Sequence, residues 1–116
     1  MSFKPFQARV REWMLACFGL AITDDPAERL RRFLEEALEL VQSLGMTKES
    51  VLKMVDYVYD RPAGDPPQEV GGVSVTLMAL CETNNINVVE ASETELERIW
   101  TKIPQIQTKQ AQKPVL

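Results

Sequence analysis

The stretch RFLEEALELVQSLG, from Arg32 to Gly45, combines an apolar helix face with three neighbouring glutamates. At about 100° per residue along a helix, Glu36 and Glu39 project within about 100° of Glu35. Apolar side chains fill the opposite arc, which is the pattern of a helix that buries one face. The segment therefore predicts an amphipathic helix with three carboxylates on its polar side. Its apolar positions are Phe33, Ala37, Leu38, Leu40, Val41 and Leu44.

The three glutamates have two interpretations. Glu35 and Glu39 are four residues apart, where like charges repel by a few tenths of a kcal/mol. Arg31 precedes Glu35 by four residues and Arg32 precedes Glu36 by four, and such pairs are ordinary on a solvated helix. The glutamates are therefore either part of a solvated face or a site at which a bound cation offsets their repulsion.

The composition restricts the chemistry that the chain can carry out. Its 116 residues, 45% of them hydrophobic, are enough for one domain with a core, and no apolar run is long enough to span a bilayer. Histidine is absent, which excludes histidine-activated nucleophiles and imidazole metal ligands. The net charge of −4 argues against nucleic-acid or bare phosphate binding, and a polyanionic ligand would need divalent cations. We expect no membrane partner. We expect a cytoplasmic protein.

The pattern along the chain predicts an all-α fold, a small bundle of about five helices without strands. Asp25, Thr47 and Asp65 are suitable N-caps, and Glu28 completes a capping-box-like pattern with Asp25. Pro104 should stop or kink the last helix. We expect one domain over residues 1–104 and a frayed polar tail over 105–116. The predicted helices cover about 5–18, 26–45, 48–59, 66–83 and 88–103.

The apolar positions also predict what is buried. Cys17 and Cys81 both lie in helical apolar patterns and are expected to be buried thiols. The fourth helix is apolar around nearly its whole circumference, which is typical of a buried helix. The stripes expected to face inward are Val10, Trp13, Met14 and Cys17 on the first helix and Val51, Leu52, Val55, Val58 and Tyr59 on the third.

Two features of the fourth helix suggest a ligand or a close neighbour. Glu69 is in angular line with Val73 and Leu80, and a carboxylate on a core stripe needs a partner. That partner is the helix N-terminus, an arginine, or a metal shared with the second helix. Gly71 and Gly72 each cost about 1 kcal/mol relative to alanine in a helix. The pair therefore indicates close approach by a ligand or by another helix.

EEALE at Glu35–Glu39, followed by EVGG at Glu69–Gly72, resembles the all-α nucleoside triphosphate pyrophosphohydrolases, the MazG-like superfamily, whose motif is EExxE followed by ExxD. Most of the chain resembles the dATP/dGTP diphosphohydrolase branch, known from phages and bacteria, which itself carries the QEVGGV form. The strings that carry this resemblance are WMLACFG, RFLEEALELVQSLG, VDYVYDRPAGDPPQEVGGVSVTLMALC and ELERIWTKI.

The resemblance implies a Mg²⁺ site, with Mn²⁺ as a possible substitute. By this likeness Glu36, Glu39 and Glu69 are metal ligands, and Gly72 stands where the superfamily's motif has aspartate. Asp56, at the edge of the third helix's stripe, is our candidate for the missing ligand, with an exposed helix aspartate as the alternative. Carboxylates are the hard oxygen ligands that Mg²⁺ prefers.

The function implied is hydrolysis of dATP or dGTP to the monophosphate and pyrophosphate, with Glu35 or Glu39 as general base. The alternatives are a catalytically impaired nucleotide- or metal-binding relative and a helical interaction module. We also expect a homodimer or homotetramer, since a helix apolar all round needs covering and the relatives are oligomeric. The candidate nucleotide contacts are Lys102, Arg98 and Arg61 for phosphates and Trp13 for the purine, with solvated basic residues and a core aromatic as the alternatives.

Overall fold

The computed structural model describes residues 4–116, so the first three residues of the predicted domain 1–104 lie outside it. The described chain is all-helical, and the predicted fold class is confirmed. Within these residues there are six helices and no strand. The helices are α1 (Phe6–Thr23), α2 (Pro26–Ser43), α3 (Lys48–Tyr59), α4 (Pro66–Thr83), α5 (Val88–Trp100) and α6 (Ile103–Gln110).

The three predicted N-caps are confirmed. Asp25 Oδ1 accepts from the Ala27 amide at 3.1 Å, and Thr47 Oγ1 accepts from the Ser50 amide at 3.2 Å. Asp65 likewise accepts from the amide of Gln68 at 3.3 Å. The reciprocal half of the capping box is absent in this described region. The Asp25 amide donates to Ile22 O at 3.4 Å, and the Glu28 carboxylate pairs with arginines instead.

Glycines mark two helix ends. Gly19 has φ 77° and ψ 175°, which breaks α1 directly after the predicted end at Phe18. Gly45 has φ 95° just after α2, the left-handed conformation expected of a glycine that terminates a helix.

The expected frayed tail is wrong for its first part. α5 ends at Trp100, before the predicted end at Ile103, and Pro104 lies in the first turn of a new helix, α6, with which proline is compatible. Ile103 and Ile106 of this helix pack against the apolar cluster of α1. The sequence shows two isolated apolar residues here, which is too short a pattern to predict a helix, and packing against α1 supplies the missing stabilisation.

The chain divides into two compact units. The first comprises the described residues up to Ala37 together with Glu93–Leu116. Its core contains Trp13, Cys17 and Leu96, which confirms the predicted inward face of α1 and the buried thiol. The Trp13 indole donates to Ile99 O at 3.0 Å and meets the Phe18 ring edge-on. Val10, Met14, Phe18, Ile99, Ile103 and Ile106 surround this core.

The second unit, Leu38–Ser92, buries far less than the sequence predicted. Within it Cys81 is buried, as expected, while most of the apolar side chains of α3 and α4 are exposed. The prediction that α4 is buried is therefore wrong for this chain by itself: Val70 and Val75 are each 69% exposed. The hydrophobic periodicity identifies which side chains can be buried, but it does not show which other part of the protein would cover them.

The surroundings of Glu69 and of the Gly71–Gly72 pair of α4 also differ from the sequence prediction. Glu69 is exposed, so the expectation of a carboxylate on a buried stripe is wrong here. A Cβ at Gly71 or at Gly72 would meet no atom within 4 Å among the described residues, so no close neighbour explains either glycine. No helix among the described residues has the length and apolar character needed to cross a membrane.

Candidate metal centre

The three glutamates of α2 form a compact group on one side of the helix. One carboxylate oxygen from each of Glu35, Glu36 and Glu39 lies within 4.8 Å of the other two. Glu35 is half-buried, whereas Glu36 and Glu39 are exposed. The spacing i, i+1 and i+4 places these side chains on adjacent parts of a helix surface, so the grouping follows from the helix itself. We call this group the acidic triad.

The donor set of the acidic triad fits a hard divalent cation. Mg²⁺ coordinates oxygens at about 2.0–2.1 Å, so two ligands on one ion are separated by about 3–4 Å. Oxygens within 4.8 Å of one another reach that geometry by small side-chain rotations, and the exposure of Glu36 and Glu39 leaves room for them. Mg²⁺ also retains several waters, and few protein carboxylates are therefore sufficient.

Glu35 has two cationic partners. Lys113 Nζ donates to Glu35 Oε1 at 2.6 Å, and Arg32 Nη1 donates to the same oxygen at 3.1 Å. The hydrogen bond from Lys113 is the main cause that lowers the pKa of Glu35 below its ordinary value. Burial opposes this effect, while the charges of Lys113 and Arg32 reinforce it. Glu35 is therefore held ionised and is a weaker base than an ordinary glutamate.

The arginines of α2 pair differently from the sequence expectation. Arg31 contacts Glu28 at 3.3 Å rather than Glu35, and Arg32 contacts Glu28 at 2.8 Å in addition to Glu35. Glu28 is only 8% exposed and also accepts from Gln110 Nε2 at 2.7 Å. Burial would raise the pKa of Glu28, but the hydrogen bonds and arginine charges outweigh it and lower that pKa. Glu28 thus competes with the acidic triad for both arginines.

Among the predicted phosphate contacts, Arg98 is the one whose charge interacts with a glutamate of the acidic triad. Its guanidinium donates to Glu95 at 2.7 and 2.8 Å, and this hydrogen bonding is the main reason that the pKa of Arg98 is raised. The charge of Glu36 contributes to the same increase. Lys102 is exposed at the N-cap of α6. The pairing of Arg98 with Glu95 is also the arrangement that a solvated basic residue would show.

The remaining predicted site residues lie elsewhere. Glu69 and Asp56 belong to the second unit, are exposed, and are not members of the acidic triad. Arg61, in the same unit, stacks on the Tyr57 ring at 4.1 Å and donates to Tyr57 O at 3.2 Å. Trp13 is 7% exposed in the core of the first unit, which favours the structural alternative over purine stacking.

The sequence did not single out Lys113 or the role of Glu28. Lys113 lies in a polar segment with no periodic pattern, and its partner Glu35 is 78 residues away in the chain. The spacing Glu28, Arg31, Arg32 was a usable signal, since an acid placed three or four residues before a base is the favourable order on a helix. No protein-family model, curated protein or solved structure matches the chain.

Proposed function

We propose that the protein is a Mg²⁺-dependent pyrophosphohydrolase of purine deoxynucleoside triphosphates, as a relative of the MazG-like superfamily. The observation that carries the proposal is the acidic triad, three carboxylate oxygens within 4.8 Å on one helix face. The triad occupies the EExxE positions through which the sequence resembles that superfamily. A solvated face would also contain glutamates, and the experiments below separate these two interpretations.

Each glutamate has a proposed role. Glu36 and Glu39 hold the cation, and Glu69 and Asp56 of the second unit remain the further candidate ligands. A bound Mg²⁺ would neutralise triphosphate charge and acidify a water molecule. The proposed reaction is attack of a water oxygen on the α-phosphorus. The bond from that phosphorus to the bridging oxygen breaks, and pyrophosphate leaves.

Glu39 is our preferred general base. The water proton must pass to a carboxylate, and Glu35 is disfavoured because Arg32 donates to its Oε1 and stabilises its ionised form. Glu39 is exposed and makes no ion pair among residues 4–116. Arg98, whose charge interacts with that of Glu36, is the preferred contact for the departing phosphates, with Lys102 and Arg61 as secondary candidates. The purine preference depends on the sequence resemblance.

We propose that the active form is a homodimer or homotetramer in which α4 packs against a second copy. The residues from Val70 to Cys81 include no charged side chain, so two copies of α4 can meet across a twofold axis without like-charge repulsion. Val70, Val73, Val75 and Met78 are between 45% and 69% exposed. Exposed apolar surface of this kind marks an interaction site.

The decisive experiment measures pyrophosphate release from a panel of dNTPs and NTPs with Mg²⁺. We expect release from dATP or dGTP, with loss of activity in Glu39→Gln. Glu97→Gln is the matched control, since it removes one exposed carboxylate of α5 and should retain full activity. Binding of nucleotide with Mg²⁺ but no pyrophosphate would instead favour an impaired relative. Absence of both binding and release would favour the helical interaction module.

A further inference from the structure

The residues from Gln110 to Leu116 lie along the polar side of α2. Gln110 donates to Glu28 at 2.7 Å, and Lys113 donates to Glu35 at 2.6 Å. Arg32 Nη2 donates to Pro114 O at 3.2 Å, and Arg31 Nη2 donates to Leu116 O at 3.4 Å. Residues 110–116, which we call the cover segment, thereby contact α2 over the two turns that lead to the acidic triad.

Polar contacts hold the end of the cover segment. Val115 is 80% exposed and Leu116 is 82% exposed, so neither apolar side chain anchors it. After Gln110, which ends α6, the segment continues without regular helical structure. Chain with few buried apolar contacts and exposed hydrogen bonds opens at low free-energy cost. The cover segment can therefore leave α2 without unfolding the core around Trp13.

Lys113 places a positive charge at the acidic triad, next to the position where Glu36 and Glu39 would hold a divalent cation. Its ammonium nitrogen is 2.6 Å from Glu35 Oε1, one of the residues whose carboxylate oxygens form the acidic triad. A lysine ammonium is a compact point charge, and it resembles a bound cation more than the planar guanidinium of Arg32 does. Because oxygens of the three carboxylates lie within 4.8 Å of one another, the ammonium at Glu35 and a divalent ion at Glu36 and Glu39 would repel each other.

We propose that the cover segment is an autoinhibitory strap, in which Lys113 stays bound to Glu35 at the acidic triad until a divalent metal ion held by Glu36 and Glu39 displaces it. This inference rests on the proposed function, because it requires a metal site at the acidic triad. A divalent ion carries twice the charge of the ammonium and can contact more than one carboxylate. Metal binding therefore weakens the docking of the cover segment on α2, and docking of the cover segment weakens metal binding to the same extent.

The test compares Mn²⁺ binding by full-length wild type, Lys113→Gln and Lys109→Gln, measured by titration calorimetry. The side chains of Lys113 and Glu35 are 27% and 29% exposed, so the competing pair is partly screened. We expect Lys113→Gln to bind Mn²⁺ about two- to fivefold more tightly than wild type. Lys109→Gln removes the same charge from the exposed end of α6, and its affinity should stay within about 1.5-fold of wild type.

A second measurement uses only the wild-type protein. The ¹⁵N heteronuclear NOE of the Val115 amide should fall when Mg²⁺ is added to saturation, because the cover segment is released. Equal Mn²⁺ affinities of wild type and Lys113→Gln, or an unchanged NOE at saturating Mg²⁺, would overturn the strap while leaving the metal site intact. No Mn²⁺ binding by any of the three proteins would overturn the metal site and the strap together.

Discussion

Replacement of Glu39 by glutamine should change stability in opposite directions with and without Mg²⁺. In the metal-free protein, Glu39 is four residues from Glu35 and three from Glu36, two like-charge pairs on one helix face. Each such pair destabilises a helix by about 0.2–0.5 kcal/mol. We therefore expect Glu39→Gln to raise the free energy of unfolding by about 0.4–1 kcal/mol without metal, towards the lower value at physiological salt.

Addition of Mg²⁺ should make wild type more stable than Glu39→Gln, the reverse of the order expected without metal. At a concentration ten times the dissociation constant, a ligand that binds only the folded state stabilises it by about 1.4 kcal/mol. For a chain of this size that corresponds to about 4–6 °C in melting temperature. Glu39→Gln should lose most of this gain because it lacks one of the proposed ligands. Wild type would then be the more stable protein in Mg²⁺ and the less stable one in chelator.

Thermal unfolding followed by circular dichroism, in EDTA and in a Mg²⁺ series, measures both differences. Glu97→Gln is again the control, and it should show the wild-type response to Mg²⁺. A Mg²⁺-induced increase in melting temperature that is equal in wild type and Glu39→Gln would refute the assignment of Glu39 as a ligand. No increase in any of the three proteins would identify the acidic triad as a solvated face.

Three further predictions concern the rest of the chain. Glu28→Gln should lower the free energy of unfolding by about 1.5–3 kcal/mol in urea titrations at neutral pH. Because the pKa of Glu28 is lowered on folding, this difference should persist above the ordinary glutamate pKa and vanish as the pH falls through the folded value. Val75→Lys should leave the circular dichroism spectrum unchanged, since the valine is 69% exposed, yet weaken self-association about tenfold or more in sedimentation velocity. Trp13→Phe removes the hydrogen bond to Ile99 O and should lower the free energy of unfolding by about 1–3 kcal/mol, as measured by chemical unfolding.

The starts of α2, α3, α4 and α5 were predictable because they depend on local chemistry. Thr47 caps α3 and Asp65 caps α4 through contacts only three residues long, and both are visible in the sequence. The positive φ at Gly45 likewise reflects a property of glycine itself. The acidic triad belongs to the same category, since the geometry of a single helix brings Glu35, Glu36 and Glu39 together.

Burial and the surroundings of the acidic triad were not predictable in this way. The apolar circumference of α4 shows what a covering surface would bury, and that surface is absent among the described residues. The helix at Ile103–Gln110 depends on packing against α1, and the contact between Lys113 and Glu35 joins residues 78 positions apart. Such contacts join distant parts of the chain, so the pattern within either local segment does not reveal them.

The order of charges along α2 explains how its arginines are shared between Glu28 and Glu35. A base that precedes an acid by three or four residues is the less favourable order, and an acid that precedes a base is the more favourable one. The arginines follow that preference, since Arg31 and Arg32 both pair with Glu28, which precedes them. Only Arg32 also reaches forward to Glu35, at the longer distance of 3.1 Å. The second cation beside Glu35 therefore comes from outside α2, as the ammonium of Lys113 at 2.6 Å.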